Sequence, residues 1–344
     1  MGNMRSYILD RHGSSSVLKL KDMKIPEPGN DEVLIKIHSI GLNYAEIQSR
    51  KGLYGWAPKL PYTLGMEASG TVEKTGPFAK RFKKGDKVII TTQFGAYTEF
   101  LVLKERLVTP ALPELSMEEN AAMVVNFATA WVALFEMGRV RKGETVLIHA
   151  AAGGVGTAAV QLAKAFGCKV YGTVGSDNKK EYLKKFKLDG IINYSIDDFE
   201  KEFRKMNDNN GADLVLEVVG GEVFRKSMRL LNPFGRTVVM GFASLNLKKW
   251  NPVSWYRTWK SIPRVKINNL AVHSSGVLSS HLGYLLNNEK RTRKILTEMT
   301  AFMKEHNLKP QVGKIFEFHK IAEAHEWMES RRSVGKIVVN ITPN

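Results

Sequence analysis

The chain has 344 residues, of which 43% are hydrophobic and 25% charged, and its formal net charge is +17. This length exceeds one typical hydrophobic core and predicts two domains, and the composition is that of a globular rather than a disordered protein. No apolar run reaches the ~18 residues of a membrane span. A single cysteine, Cys168, excludes an internal disulfide and a cysteine-based zinc cluster, and is typical of a reducing cytosol, so we predict a cytoplasmic protein.

The excess of positive charge, 51 basic against 34 acidic residues, is spread along the chain. Such a surface attracts anions, which include phosphorylated cofactors, acidic lipid headgroups and nucleic acid. Because the basic residues form no arm and no nucleic-acid-binding module is recognisable, nucleic acid is the least favoured of these partners.

Residues 1–122 have the pattern of a mostly β domain. Apolar runs at 32–37 and 86–90 are bounded by proline and glycine, as expected for short strands joined by turns. Ser116 and Glu119 stand at capping-box spacing and predict the start of a helix that leads into the next domain.

The stretch at 144–173, ETVLIHAAAGGVGTAAVQLAKAFGCKVYGT, predicts a buried strand, a glycine turn, an amphipathic helix ending at Gly167, and a second strand. The turn consists of Gly153, Gly154, Val155 and Gly156. The first N–H groups of the helix favour an anion, and the glycines let a pyrophosphate approach the backbone. We therefore predict a dinucleotide site; the alternative is a tight turn that binds nothing.

The end of the second strand indicates which dinucleotide is bound. An NAD site places a carboxylate there to bind the ribose 2′-hydroxyl, whereas this chain has none before Asp177. It has instead a hydroxyl at Ser176 and cations at Lys179 and Lys180, which suit a 2′-phosphate. The sequence thus predicts NADPH, with Lys179 as a phosphate contact; the alternative for these lysines is a solvated helix start.

Strands and helices continue to alternate after this unit, which predicts a doubly wound parallel α/β sheet. Strands are predicted at 191–194, 213–218, 237–241, 264–270 and 336–341. The last of them is expected to return to the N-terminal domain. The predicted division is therefore 1–122 and 273–344 for a substrate domain, with a Rossmann domain at 123–272.

Residues 247–263 interrupt the alternation with three tryptophans, a tyrosine and several basic residues. This composition favours a long loop whose rings pack on its own domain. The alternative is a docking surface, for which an anionic membrane is the first partner to test, because tryptophan suits the interface and lysine the headgroups. The protein would then be peripheral to membranes.

Six short motifs follow one another along the chain: GLNY at 41–44, GMEASG at 65–70, GDKV at 85–88, GAY at 95–97, AAGGVG at 151–156 and GKIV at 335–338. Together they resemble the zinc-free quinone oxidoreductases of the medium-chain dehydrogenase/reductase superfamily, over nearly the whole chain. Residues 119–130 are most similar to the vesicle amine transport protein branch. The resemblance implies a GroES-like substrate domain beside the Rossmann domain, and a homodimer joined through the sheet edge near 265–270.

The resemblance also implies roles for individual residues. The implied cofactor contacts are Gly153, Gly154, Val155, Gly156, Ser176, Lys179, Tyr194, Phe242, Gly335 and Lys336. The implied catalytic residues are Asn43, Tyr44 and Asn126. Zinc-dependent members of the superfamily bind zinc through Cys, His and Cys, and the matching positions here are Asn43, Met66 and Asn126, so we predict no zinc.

The predicted activity is NADPH-dependent, zinc-independent reduction of quinones or α,β-unsaturated carbonyls by hydride transfer. Asn43 or Tyr44 is expected to donate a hydrogen bond to the acceptor oxygen; the alternatives are a turn role for Asn43 and a packing role for Tyr44. The competing hypothesis is a nucleotide-binding protein of weak or no activity that acts by binding membrane lipid or a protein partner.

Overall fold

The computed structural model describes residues 2–241, 253–254, 256, 262, 264–283 and 288–341. Their strands are β1 (Asn3–Leu9), β2 (Lys19–Lys24), β3 (Glu32–Gly41), β4 (Tyr62–Thr63), β5 (Glu67–Thr75), β6 (Lys87–Thr91), β7 (Phe100–Lys104), β8 (Val108–Pro110), β9 (Thr145–Ile148), β10 (Lys169–Val174), β11 (Gly190–Asn193), β12 (Ala212–Glu217), β13 (Leu231–Val239), β14 (Gly276–Ser279), β15 (Val312–Glu317) and β16 (Lys336–Asn340). Their α-helices are α1 (Tyr44–Arg50), α2 (Met117–Ala121), α3 (Val124–Trp131), α4 (Gly154–Ala165), α5 (Asp177–Leu183), α6 (Phe199–Met206), α7 (Gly221–Arg229), α8 (Ile267–Val272), α9 (Glu289–Glu305) and α10 (Ile321–Glu329).

The chain divides into two compact units. Unit 1 comprises Met1–Val125 and Lys309–Asn344, and unit 2 comprises Asn126–Leu308. The C-terminal segment thus completes the N-terminal domain, as the sequence predicted. The boundary differs, because residues 273–308 group with unit 2 rather than with the substrate domain.

Unit 1 is built on two sheets. A mixed sheet has the order β15-β16-β3-β5-β6-β8, with β7 also paired to β3, and a smaller antiparallel sheet has the order β2-β1-β4. The long β3 is exposed only at Lys36 and His38, and it contributes Val33, Ile35 and Ile37 to the core. The predicted capping box of α2 is present, since the Glu119 N–H donates to Ser116 Oγ and the Ser116 N–H to the Glu119 carboxylate.

Unit 2 contains a parallel sheet with the strand order β11-β10-β9-β12-β13-β14. Its central strand, β9, is buried at every residue, because helices cover both faces of a doubly wound sheet. Strands β10 and β12 flank β9, so the chain reverses its direction of winding there. In such sheets ligands bind beyond the carboxyl end of the strands at this point. The predicted Rossmann architecture is confirmed.

The strand predicted at 264–270 is wrong. This segment contains α8, and the outermost strand of the described sheet is β14, which pairs in parallel with β13. Adjacent asparagines at 268 and 269 have low β propensity, whereas the short run at 276–279 can pair along β13. Among the described residues, β14 is therefore the strand that lies at this edge of the sheet.

Two predictions fall outside the described residues. Phe242 is one, and most of the aromatic and basic insert at 247–263 is the other. Their roles stay predictions. Within the described part of the chain, none of the helices combines the length and apolar character needed to cross a bilayer.

Candidate functional site

The glycine turn lies between the carboxyl end of β9 and the first turn of α4. A Cβ on Gly156 would come 2.3 Å from the Ala150 carbonyl oxygen, so helix and strand approach closely only because this residue is glycine. A Cβ on Gly154 would come 2.6 Å from Asn126 Nδ2. The predicted catalytic residue Asn126 therefore packs, buried, against the nucleotide turn of unit 2. Gly153 precedes α4 and has no side chain to cap the helix. The first N–H groups of α4 are therefore suited to a bound anion.

The predicted 2′-phosphate residues lie beyond the carboxyl ends of β10 and β11. Ser176 immediately precedes α5, and Lys179 lies in the first turn of that helix. Tyr194 follows β11 with 51% of its surface exposed. A Cβ on Gly175 would come 2.6 Å from the Tyr194 hydroxyl oxygen, so this hydroxyl lies directly against the end of β10. The structure thus brings these three predicted cofactor contacts to one end of the sheet.

The carboxylate nearest in sequence to this group is held by a neighbouring strand. Asp177 accepts a hydrogen bond from Asn193 Nδ2 at 2.8 Å, and Asn193 Oδ1 accepts from the Ser195 N–H and hydroxyl. Asp177 therefore fixes the loop after β11. This arrangement agrees with the absence of an NAD-type carboxylate at the strand end in the sequence.

A buried histidine that the sequence analysis did not single out follows β9. His149 Nδ1 lies 2.9 Å from Thr173 Oγ1 and Nε2 lies 2.8 Å from Ser227 Oγ. Since the Ser227 hydroxyl donates to the Val223 carbonyl, Nε2 must carry the proton and donate to Ser227. Burial lowers the pKa of His149 from 6.5 to about 3. The neutral ring joins β9, β10 and α7 around the nucleotide turn.

The lowered pKa of His149 gives a pH-dependent contribution to stability. Between about pH 6.5 and 3 the unfolded chain binds a proton at this residue and the folded chain does not, so stability falls as the pH falls. For one such group the slope is about 1.4 kcal/mol per pH unit. We expect the stability difference between wild type and His149→Gln to shrink by about this amount per unit from pH 6 to pH 4. Denaturant unfolding at each pH measures it, and a constant difference would contradict the prediction.

In unit 1 the predicted catalytic residues lie at the start of α1. Asn43 is the residue before the helix and is buried, whereas Tyr44 is 39% exposed. Glu46, in the first turn, is completely buried and its Oε2 accepts the Asn43 N–H at 2.9 Å. Its Oε1 accepts the Met66 N–H at 2.8 Å. Glu46 thus joins the start of α1 to the segment before β5.

A buried ion pair lies beside Asn43. The Lys336 ammonium donates to Glu67 Oε1 and, at 2.6 Å, to Asn43 Oδ1; the lysine side chain is 3% exposed and the glutamate 0%. The other Glu67 oxygen accepts the Val125 N–H at 3.0 Å. Gly335 precedes the lysine with a φ of 56°, which glycine adopts without strain. Lys336, predicted as a cofactor contact, therefore makes these bonds inside unit 1.

The Asn43 side chain is oriented by these charges. Because an ammonium cannot accept a hydrogen bond, the atom facing Lys336 must be the amide oxygen. The amide nitrogen then donates to Glu67 Oε1 at 3.2 Å and to the Gly41 carbonyl at 3.3 Å. Both functions of the predicted hydrogen-bond donor are thus used within unit 1, which leaves Tyr44 as the exposed residue of the predicted pair.

A chain of buried hydrogen bonds continues from Glu46. The Tyr97 hydroxyl donates to Glu46 Oε2 at 2.6 Å and lies 2.9 Å from His325 Nε2. His325 Nδ1 lies 3.3 Å from Arg50 Nη1, and Arg50 Nη2 donates to the Glu329 carboxylate at 2.7 Å. Burial raises the pKa of Glu46 and lowers that of His325 to about 3.

No local pattern in the sequence predicts these buried hydrogen bonds. Arg50 and His325 are 275 residues apart, and Lys336 and Glu67 are 269 apart. His325 and Glu329 stand one helical turn apart on α10, and this spacing by itself does not indicate that both groups lie beside Arg50. A local pattern cannot reveal a partner on a distant strand.

The side chains at the three positions that match the zinc ligands of zinc-dependent relatives do not fit a zinc ion. Asn43, Met66 and Asn126 carry two amides and a thioether, which are poor zinc ligands. Among the residues that the structure describes, no group of three or more His, Cys, Asp or Glu side chains is placed to hold a metal. The carboxylate beside Asn43 is already paired with an ammonium.

A mostly β unit and a doubly wound unit with a glycine turn define the class of two-domain dehydrogenases and reductases. Two family models match the chain: the alcohol dehydrogenase GroES-like domain over residues 29–114 and the zinc-binding dehydrogenase domain over residues 154–299. The synaptic vesicle membrane protein VAT-1 homolog of Rattus norvegicus is 33% identical, over 98% of this chain and 84% of that protein. The quinone oxidoreductase of Homo sapiens is 30% identical, over 98% of this chain and 97% of that protein. The chain therefore belongs to the medium-chain dehydrogenase/reductase superfamily, and it is an oxidoreductase.

Solved structures support the same assignment. The human synaptic vesicle membrane protein VAT-1 homolog-like protein, whose name matches the branch that residues 119–130 resemble, superimposes with a TM-score of 0.83 at 26% identity, over 99% of each chain. A mycobacterial protein in complex with NADPH gives a TM-score of 0.85 at 28% identity, over 98% and 99%. The CurK enoyl reductase gives a TM-score of 0.83 at 26% identity, over 98% of this chain and 99% of that chain.

Proposed function

We propose that this protein is an NADPH-dependent, zinc-independent reductase of quinones or α,β-unsaturated carbonyls. The observation that carries the proposal is the nucleotide end of unit 2. There a glycine turn without a side-chain cap lies at the start of α4, and Ser176, Lys179 and Tyr194 lie beyond the neighbouring strands. Asp177 is bonded to Asn193, so the local carboxylate has another partner.

Each part of the nucleotide end suits one part of NADPH. The N–H groups at the start of α4 are suited to the pyrophosphate. The Ser176 hydroxyl and the Lys179 ammonium are suited to the 2′-phosphate, which NADH lacks. The mycobacterial structural relative in complex with NADPH supports this choice of nucleotide.

When bound, the cofactor supplies the hydride, so the protein needs no nucleophile and no metal. The chain binds and orients the reactants and stabilises the oxyanion that forms when a quinone or enone accepts the hydride. Tyr44 is the donor that we assign to this oxyanion, because it is 39% exposed whereas Asn43 is committed to Lys336 and Glu67. The choice of acceptors is supported by the quinone oxidoreductase and enoyl reductase relatives.

The nucleotide preference tests the proposal. We expect wild type to bind NADPH more tightly than NADH in a fluorescence titration, and Lys179→Ala to lose about ten- to hundredfold of its NADPH affinity, as expected for one charge-assisted hydrogen bond. Affinity for NADH should change little. Lys184→Ala, which removes an exposed lysine just after the same helix, is the matched control and should keep the preference.

Two results would overturn the proposed function. Failure to bind either nucleotide would mean that the glycine turn is only a structural turn. Stoichiometric zinc in the purified protein, together with loss of quinone and enone reduction on adding a chelator, would contradict the zinc-independent mechanism.

We also propose that the enzyme is a homodimer joined at β14. Large apolar side chains are exposed around this sheet edge: Phe234 at 82%, Ile267 at 79% and Val272 at 78%. The Phe234 N–H donates to the Ser274 carbonyl, which places the Phe234 backbone beside the segment between α8 and β14. Unpaired strand edges and clustered apolar side chains favour association.

Sedimentation velocity tests the dimer. Phe234→Glu places a charge on the proposed interface and should give a monomer at concentrations where wild type is a dimer. Phe78→Glu makes the same change at a 66% exposed phenylalanine of unit 1 and should leave the dimer intact. A monomeric wild type would remove the proposal.

A further inference from the structure

The buried hydrogen-bond chain of unit 1 has one permitted direction, and Arg50 sets it. A guanidinium group only donates, so His325 Nδ1, 3.3 Å from Arg50, must accept. A neutral imidazole then carries its proton on Nε2 and donates it to the Tyr97 oxygen, 2.9 Å away. The Tyr97 proton is left for Glu46 Oε2 at 2.6 Å.

The opposite direction is unfavourable at both ends of the chain. It would place a proton on His325 Nδ1, facing the Arg50 donor, and would require Glu46 to donate to Tyr97. Glu46 instead receives donors on both oxygens, because the Asn43 and Met66 N–H groups also point to it. Arg50 is itself fixed, because it donates hydrogen bonds to the Glu329 carboxylate and the Gly13 carbonyl and is only 1% exposed.

We propose that Arg50, His325 and Tyr97 are positioning residues for reduction of the quinone or enone. They act by keeping Glu46 a hydrogen-bond acceptor, which holds the start of α1. The proposal rests on the proposed function. Glu46 holds the N–H of Asn43, the residue that precedes Tyr44. Packing holds the Tyr44 side chain only in part, since 39% of its surface is exposed. The position of its hydroxyl therefore depends on the backbone that Glu46 holds. A displacement of about 1 Å in a reacting group can cost up to a hundredfold in rate.

Removing one hydroxyl from the chain tests the proposal. In Tyr97→Phe we expect kcat for reduction of 1,4-naphthoquinone to fall about tenfold or more, with the NADPH dissociation constant within about twofold of wild type. Hydrogen exchange should quicken in the peptide that contains residues 43–50. The matched control is Tyr171→Phe, which removes the hydroxyl of another largely buried tyrosine, bonded to Met206 and Asn207 in unit 2. It should lower the melting temperature similarly and leave kcat and that peptide unchanged.

A spectroscopic measurement on the wild-type enzyme keeps the proposal testable if Tyr97→Phe fails to fold. Long-range ¹H–¹⁵N spectra should show His325 neutral at pH 7 with its proton on Nε2. In Arg50→Met the acceptor role of Nδ1 is no longer enforced, so the other tautomer should become populated. A proton on Nδ1 in wild type, or equal kcat values in Tyr97→Phe and Tyr171→Phe, would overturn the proposal.

These outcomes are distinct from failure of the proposed function. A wild type that reduces neither quinone nor enone would remove the proposed function, and with it the catalytic role of the chain. The tautomer and the exchange of residues 43–50 would still show whether Arg50 directs the hydrogen bonds that hold α1.

Discussion

Lys336→Met is expected to destabilise the protein by about 3–5 kcal/mol, because it leaves a buried carboxylate without its counter-charge. Glu67 is 0% exposed, and the Lys336 ammonium is the cation bonded to it. Methionine has a similar length and keeps most of the packing, so the loss reports the unpaired charge. Denaturant unfolding followed by circular dichroism measures the change.

A double-mutant cycle separates this effect from a packing defect. Glu67→Gln in the Lys336→Met background removes the unpaired charge and should recover about half of the lost stability or more. The matched control is Lys84→Met, which breaks the exposed ion pair with Glu73 and should cost less than about 1 kcal/mol. A loss in Lys336→Met as small as that of the control would show that Glu67 is not a buried, unpaired charge in the variant.

Gly156→Ala is expected to reduce stability by about 3 kcal/mol and NADPH affinity by more than about tenfold. The added Cβ would come 2.3 Å from the Ala150 carbonyl oxygen and 2.8 Å from the Ala151 backbone, so the turn must move away from β9. That movement displaces the N–H groups that we assign to the pyrophosphate. Thermal unfolding and NADPH titration measure the two effects.

The same methyl group placed elsewhere in unit 2 is the control for Gly156→Ala. At Gly276 a Cβ would lie 3.5 Å from Arg236 Cβ, an ordinary contact, so Gly276→Ala should stay within about 0.5 kcal/mol of wild type. If both variants behave alike, the close approach of α4 to β9 is not what requires glycine at 156.

The parts of the fold that the sequence predicted have local signals. The run at 145–150, the glycines and the helical spacing after them predict β9, the turn and α4 without knowledge of distant residues. The capping box at Ser116 is likewise contained in four residues. Such features depend on periodicity and backbone geometry, which neighbouring residues determine.

The parts that the sequence did not predict depend on distant partners. Residues 264–270 have an apolar pattern compatible with a strand, but pairing along β13 goes to β14 instead, and the segment contains a helix. The motif around Lys336 predicts a cofactor contact, which stays a prediction, but no local pattern predicts that its ammonium is bonded to Glu67 on another strand. No local pattern predicts the contact between Arg50 and His325 either, because these residues are 275 positions apart in the sequence.

The return of the C-terminal segment to unit 1 has a consequence for the order in which the protein acquires its structure during synthesis. The ribosome makes β3 and Glu67 early, but β16, which pairs with β3 and carries Lys336, emerges only after all of unit 2. Until then the nascent N-terminal domain has an open edge at β3 and a carboxylate lacking its ammonium. Unit 2, whose strands are contiguous in sequence, can fold first, and the N-terminal domain closes last.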